Sequence, residues 1–159
     1  MPNILYVCLG NICRSPAAEG IMRHLGEKHH LKDLHVESCG MGDWHVGHLP
    51  DERMQSAAKV RGFVLQSRAK KFDQAFFQNF DYILAADHHV LHDLYSKAAT
   101  PENKAKIHLM SDYSQTYRGQ DIPDPYYDGV GGFETVLDMI EDCCESLLKH
   151  IYGKTFSVY

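Results

Sequence analysis

The sequence predicts an α/β fold, a parallel sheet with helices on both faces. Three observations carry this. Short apolar runs bounded by turn residues alternate along the chain with segments of helical period. The run Ile4-Leu5-Tyr6-Val7 is continuously apolar, the pattern of a strand buried on both faces. It passes through a short loop directly into a helix, the opening unit of such a sheet.

In chain order, the first strand ends at Cys8. Ser15 reads as the N-cap of the next helix and Pro16 as its first helical residue, with Ala18, Ile21, Met22 and Leu25 on one face. His35 to Cys39 reads as the second strand. Asp51 to Arg61 reads as a helix with Met54, Ala57 and Ala58 inward and Gly62 closing its end. Tyr82 to Ala86 makes a third strand, Val90, Leu91 and Leu94 mark a helix, and Ile107 to Met110 supplies a fourth strand. Phe133, Val136, Leu137, Ile140, Cys144, Leu147, Leu148 and Ile151 hold a helical period over about five turns, which predicts a core-facing scaffold helix. The longest irregular stretch runs from Ser111 to Gly132, and long loops in compact domains are often functional.

With 159 residues, 44% of them apolar, the chain predicts one domain over 1–159. It has neither a run of eighteen apolar residues nor a secretory leader, so a soluble cytoplasmic protein without membrane attachment is expected. A formal charge of −5 argues against nucleic acid as a partner. Five cysteines without a Cys-x-x-Cys pair read as reduced thiols, with Cys143 and Cys144 as packing on the last helix.

Cys8 is harder to explain as packing. In Cys8-Leu9-Gly10-Asn11-Ile12-Cys13-Arg14-Ser15, five residues separate a thiol from a guanidinium at the carboxyl end of a strand, where parallel sheets bind ligands. A loop of this length can curl so that both groups meet one anion, with inward backbone N–H groups and the following helix N-terminus completing a phosphate cradle. Gly10 is expected to supply unusual dihedral angles, and Arg14 a planar fork for two phosphate oxygens. Beside such charges a thiol falls from ~8.5 to ~3.5–7.5, so Cys8 is expected to be an anionic nucleophile. Ser15 is read both as helix cap and as a hydrogen-bond donor to that sulfur. The Cys-x5-Arg spacing alone is common; its position between a buried strand and a helix makes it specific.

Transfer of a phosphoryl group needs a proton for the leaving oxygen. Asp124-Pro125-Tyr126-Tyr127 offers a carboxyl group held by a stiff proline, with Asp121 and Asp128 as nearby rivals.

Val7 to Pro16 and Asp124 to Tyr127 together closely resemble the two signatures of the low-molecular-weight protein tyrosine phosphatases. Asp43-Trp44-His45-Val46-Gly47 is similar to that family's substrate-selecting loop, and Phe80 to Leu84 to its third strand. The resemblance spans nearly the whole chain. It implies a flavodoxin-like four-stranded sheet and catalysis without metal or cofactor through a cysteinyl-phosphate. It assigns Cys8, Arg14 and Asp124 as nucleophile, phosphate clamp and general acid. It also implies that Asn11 and Ser38 hold the shape of the cradle, that Trp44, Tyr126 and Tyr127 wall the cleft, and that oxidation joins Cys8 to Cys13. The implied partners are a phosphotyrosine-containing protein or a small aryl phosphate, with inorganic phosphate as product. Oligomeric state is not legible.

Two alternatives stand beside this. A thiol-dependent arsenate reductase would share fold and cradle but needs further cysteines near the third strand, and none lies between Cys39 and Cys143. A phosphotyrosine-binding module would normally lack the nucleophile or the acid. His88 and His92 with Asp87, His89 and Asp93 invite a metal reading, but histidines at helical spacing usually belong to a solvated face, and no metal is expected.

Overall fold

The computed structural model describes residues 2–127 and 130–153. Four parallel strands, β1 (Asn3–Cys8), β2 (His35–Gly40), β3 (Tyr82–Ala85) and β4 (Ile107–Leu109), form one sheet in the order β2-β1-β3-β4. The expected strands are all present, with β2 running one residue further and β3 and β4 each ending one residue earlier. In register, Val7 stands beside Cys39 on one side and Ala85 on the other.

Because side chains alternate along a strand, β1 divides its residues between two apolar layers. Ile4, Tyr6 and Cys8 face the layer built with α1 (Arg14–Lys28), α2 (Glu52–Val60) and α6 (Val130–Tyr152). Leu5 and Val7 face the layer of Phe72, Phe77, Val90 and Leu94, contributed by α3 (Phe76–Asn79), α4 (His88–Lys97) and the chain before them. The apolar stripe of α6 is buried as its period predicts, from Phe133 through Leu148, and each such side chain contributes about 1.5–3 kcal/mol.

Helix α2 starts where expected because the Asp51 carboxylate accepts from the Arg53 N–H. Met54 and Ala58 are buried and Ala57 half-buried, and Gly62 follows at φ +90°. Three short elements were not predicted: α3 and α5 (Pro101–Lys104), each four residues, and a 3-10 turn at Pro125–Tyr127 inside the expected irregular stretch, all too short to display a period. For α5 a signal existed, since Thr100 caps it and Pro101 opens it.

The start of α1 differs from the expectation. Its N-cap position is Cys13, without a capping side chain, and Ser15 lies inside the helix. The Ser15 hydroxyl is used within the cradle instead, as described below. Among the described residues, no helix is long and apolar enough to cross a membrane.

Strand order reverses direction between β1 and β3, so their carboxyl ends open a crevice, the usual ligand position in open α/β sheets. Cys8 ends β1, and Asp87 follows β3 as the N-cap of α4.

Candidate active site

A cleft of about 310 Å³ lies over this crevice. Cys8, Leu9, Gly10, Ile12, Cys13 and Arg14 form its floor, and Trp44, His45, Asp124 and Tyr126 its walls. The loop after β1 therefore gathers the predicted cradle, and the long loop brings Asp124 to it.

The Cys8 sulfur is buried and receives the Asn11 N–H at 3.2 Å, and Ser15 Oγ stands 2.9 Å away. Asn11 ties the loop together. Its Nδ2 donates to Ser15 Oγ (2.8 Å) and Ser38 Oγ (3.0 Å), and its Oδ1 accepts from the Lys70 N–H (2.9 Å). Asn11 also takes the strained turn, at φ +57°, a conformation asparagine tolerates better than most residues. That corrects the expectation for Gly10, which is outside the left-handed region. Gly10 sits close under His45: a Cβ there would stand 3.2 Å from His45 Cδ2, so the imidazole would have to give by a few tenths of an ångström.

Arg14 is 2% exposed, and its Nη1 donates to Asp87 Oδ2 (2.6 Å) and to the Ile122 carbonyl (2.9 Å). Burial pushes the guanidinium down, but its interactions with Cys8, Asp87 and Asp124 outweigh this and hold it above its usual value, so it stays charged. Burial likewise pushes Asp87 up, while hydrogen bonds from Arg14 and the Val90 N–H, with the Arg14 charge, bring it below the ordinary carboxylate range.

Of the rival carboxylates, Asp124 borders the cleft. Its Oδ2 is 3.6 Å from Arg14 Nη2, and its Oδ1 accepts from the Tyr126 N–H. Asp121 turns instead to His88, and Asp128 lies outside the described residues. Tyr126 lines the cleft and receives the Arg53 guanidinium 5.5 Å from its ring center. The expectation for Tyr127 cannot be followed beyond its backbone, since its side chain lies outside the described residues. Trp44 lines the cleft while 65% exposed.

The other thiols are buried. Desolvation pushes all four up, Cys143 to about 12, with Asp51 and Cys8 adding to the effect at Cys13. Cys144 packs between Tyr6 OH and the Ala18 carbonyl. Among the described residues, no group of three His, Cys, Asp or Glu side chains is arranged to hold a metal ion.

The chain matches the family "Low molecular weight phosphotyrosine protein phosphatase" over residues 3–156. It belongs to that family. Among similar proteins, the low molecular weight phosphotyrosine protein phosphatase of Schizosaccharomyces pombe is 37% identical over 150 residues, covering 93% of this chain and 96% of the relative. A protein tyrosine phosphatase structure from Entamoeba histolytica is 40% identical with a TM-score of 0.91, covering 97% of this chain and 99% of the other. A structure described as a Drosophila arginine phosphatase is 36% identical with a TM-score of 0.87, covering 95% and 98%.

Around this cleft, sequence reasoning gave no individual role to four contributors. Asp87 enters the sequence reading only beside the histidines of the metal alternative, whereas here it orients Arg14. Gly40 packs under the cradle, where a Cβ would stand 2.9 Å from the Leu9 carbonyl and 3.0 Å from the Asn11 nitrogen. His45 lies over Gly10. Glu19 is a buried carboxyl that hydrogen-bonds Ser38, with Arg23 at 3.4 Å; burial pushes it up, and these partners only partly offset that. His45 lies within the segment similar to the family's substrate-selecting loop but carries no role of its own there, and no local pattern ties Asp87, Gly40 or Glu19 to the site, because each acts through a neighbor distant in sequence.

Proposed function

We propose that the protein hydrolyses phosphotyrosine and aryl phosphate monoesters through a cysteinyl-phosphate. The observation that carries this reading is the convergence of Cys8, Arg14 and Asp124 on one cleft from the loop after β1 and the loop before α6.

Cys8 Sγ attacks phosphorus, forming the S–P bond as the P–O bond to the aryl group breaks, and Asp124 gives its proton to the departing oxygen. Arg14 and the cradle N–H groups take the charge on the phosphoryl oxygens. With Nη1 committed to Asp87, the fork offers Nε and Nη2 to substrate. Water then attacks phosphorus, Asp124 takes its proton, the S–P bond breaks, and phosphate leaves. The Ser15 hydroxyl, 2.9 Å from the sulfur, donates to it as it departs. Trp44 and Tyr126 supply aromatic walls for an aryl ring. Five free thiols suit the reducing cytoplasm.

The test is hydrolysis of para-nitrophenyl phosphate without added metal, across pH, by wild type, Cys8→Ser and Asp124→Ala. Turnover by wild type, none by Cys8→Ser, and a loss of about two to four decades in Asp124→Ala support the mechanism. An inactive wild type overturns it and directs attention to arsenate reduction or phosphopeptide binding. Because one structural neighbor is described as an arginine phosphatase, phosphoarginine is assayed in parallel; a preference for it would replace the aryl substrate class.

A further inference from the structure

Asp124 has few side-chain partners. Its carboxylate meets only the Tyr126 N–H and, more distantly, Arg14 among the described residues. The chain on both sides of it is anchored: after it the Tyr126 carbonyl accepts from Arg53 Nη2 (2.9 Å), and before it the Gln120 carbonyl accepts from Ser111 Oγ (2.7 Å). The Ile122 N–H donates to the Ala86 carbonyl (2.8 Å), and the Ile122 carbonyl accepts from Arg14. One residue earlier, Asp121 Oδ1 accepts from the His88 backbone N–H (2.9 Å) and lies 2.5 Å from His88 Nδ1. His88 is the first residue of α4, directly after the Asp87 that orients Arg14.

We infer that the Asp121–His88 pair is a latch that positions the general acid, tying the loop that carries Asp124 to the start of α4. This inference rests on the phosphatase reading. Asp121 and His88 are positioning residues, since neither lines the cleft. The latch is partial, because the two Ile122 hydrogen bonds and those from Ser111 to the Gln120 carbonyl and from Arg53 to the Tyr126 carbonyl remain when it is cut. Its loss lets the loop shift at the acid without emptying the cradle, and a misplacement of about 1 Å can cost up to ~10²-fold in rate.

The readout is leaving-group dependence. Phenyl phosphate expels a basic phenolate and needs the proton; dinitrophenyl phosphate expels a stable anion and does not. In Asp121→Ala, kcat/KM for phenyl phosphate is expected to fall about tenfold and that for dinitrophenyl phosphate less than about twofold. Asp121→Asn keeps an accepting oxygen and should recover most of the loss. His88→Ala should lie between, because its backbone N–H remains. Equal falls on both substrates, or no fall on either, overturn the latch. A wild type inactive on dinitrophenyl phosphate instead refutes the phosphatase reading itself.

Discussion

Arg14 and Asp87 are joined by a 2.6 Å hydrogen bond between Nη1 and Oδ2, linking the helix after β1 to the turn after β3. The guanidinium is thereby oriented before any phosphate arrives. Asp87→Ala should leave Arg14 charged but poorly aimed, lowering kcat/KM for aryl phosphates by about ten- to a hundredfold and weakening inhibition by inorganic phosphate. Asp87→Asn, which keeps an acceptor, should recover part of it. Steady-state kinetics with phosphate as competitor check this.

The same pair predicts a pH dependence of stability. Asp87 has a lower pKa folded than unfolded, so its contribution is present above its ordinary value of 3.8 and is lost as pH falls through the folded value. The stability difference between wild type and Asp87→Asn, from urea unfolding between about pH 7 and about pH 2, should therefore shrink on the acid side.

Gly40→Ala should damage the cradle from beneath. Its new Cβ would press on the Leu9 carbonyl and the Asn11 nitrogen, both backbone atoms that cannot rotate away. The expected cost is about 1–3 kcal/mol of stability, with activity lost at temperatures where the protein is still folded. Thermal melts beside activity assays separate the two.

Gly42→Ala should move the tryptophan. A Cβ at Gly42 would lie 1.8 Å from Trp44 Cζ3, so the indole rests against the glycine and must leave when a methyl group is added. Trp44 is the chain's single tryptophan, so its fluorescence reports the displacement directly. KM for aryl phosphates should rise severalfold with kcat little changed. An unchanged emission spectrum would contradict this placement.

Alkylation should be selective. Cys8 and Cys13 both line the cleft, but burial raises the thiol of Cys13 as it does those of Cys39, Cys143 and Cys144, while the Cys8 sulfur accepts the Asn11 N–H with Ser15 Oγ beside it. Brief iodoacetate treatment at neutral pH is expected to place one carboxymethyl group on Cys8, and phosphate should slow it. Peptide mass mapping identifies the site.

Much of this was legible because it is encoded locally. The apolar run before Cys8, the helical period of α1 and α6, and the stiff Asp124-Pro125 step are properties of neighboring residues. Local signals also misled where a residue had two possible partners. Ser15 followed by Pro16 has the form of a helix cap, yet its hydroxyl meets Asn11 and the Cys8 sulfur, because the curled loop brings these closer than the helix N–H groups. The conformational freedom expected of Gly10 falls to Asn11, whose side chain secures the turn with three hydrogen bonds.

The sequence by itself determined the parallel α/β architecture, the cradle between Cys8 and Arg14, and Asp124 as one of three candidate acids, since periodicity, spacing and turn chemistry act over a few residues. Only the tertiary structure decided that Asp124 rather than Asp121 borders the cleft, that Asp87 aims Arg14, and that Gly40 and Gly42 make room for the cradle and Trp44. Those choices depend on which distant backbones the sheet order places side by side, and on the contact distances and charges that result.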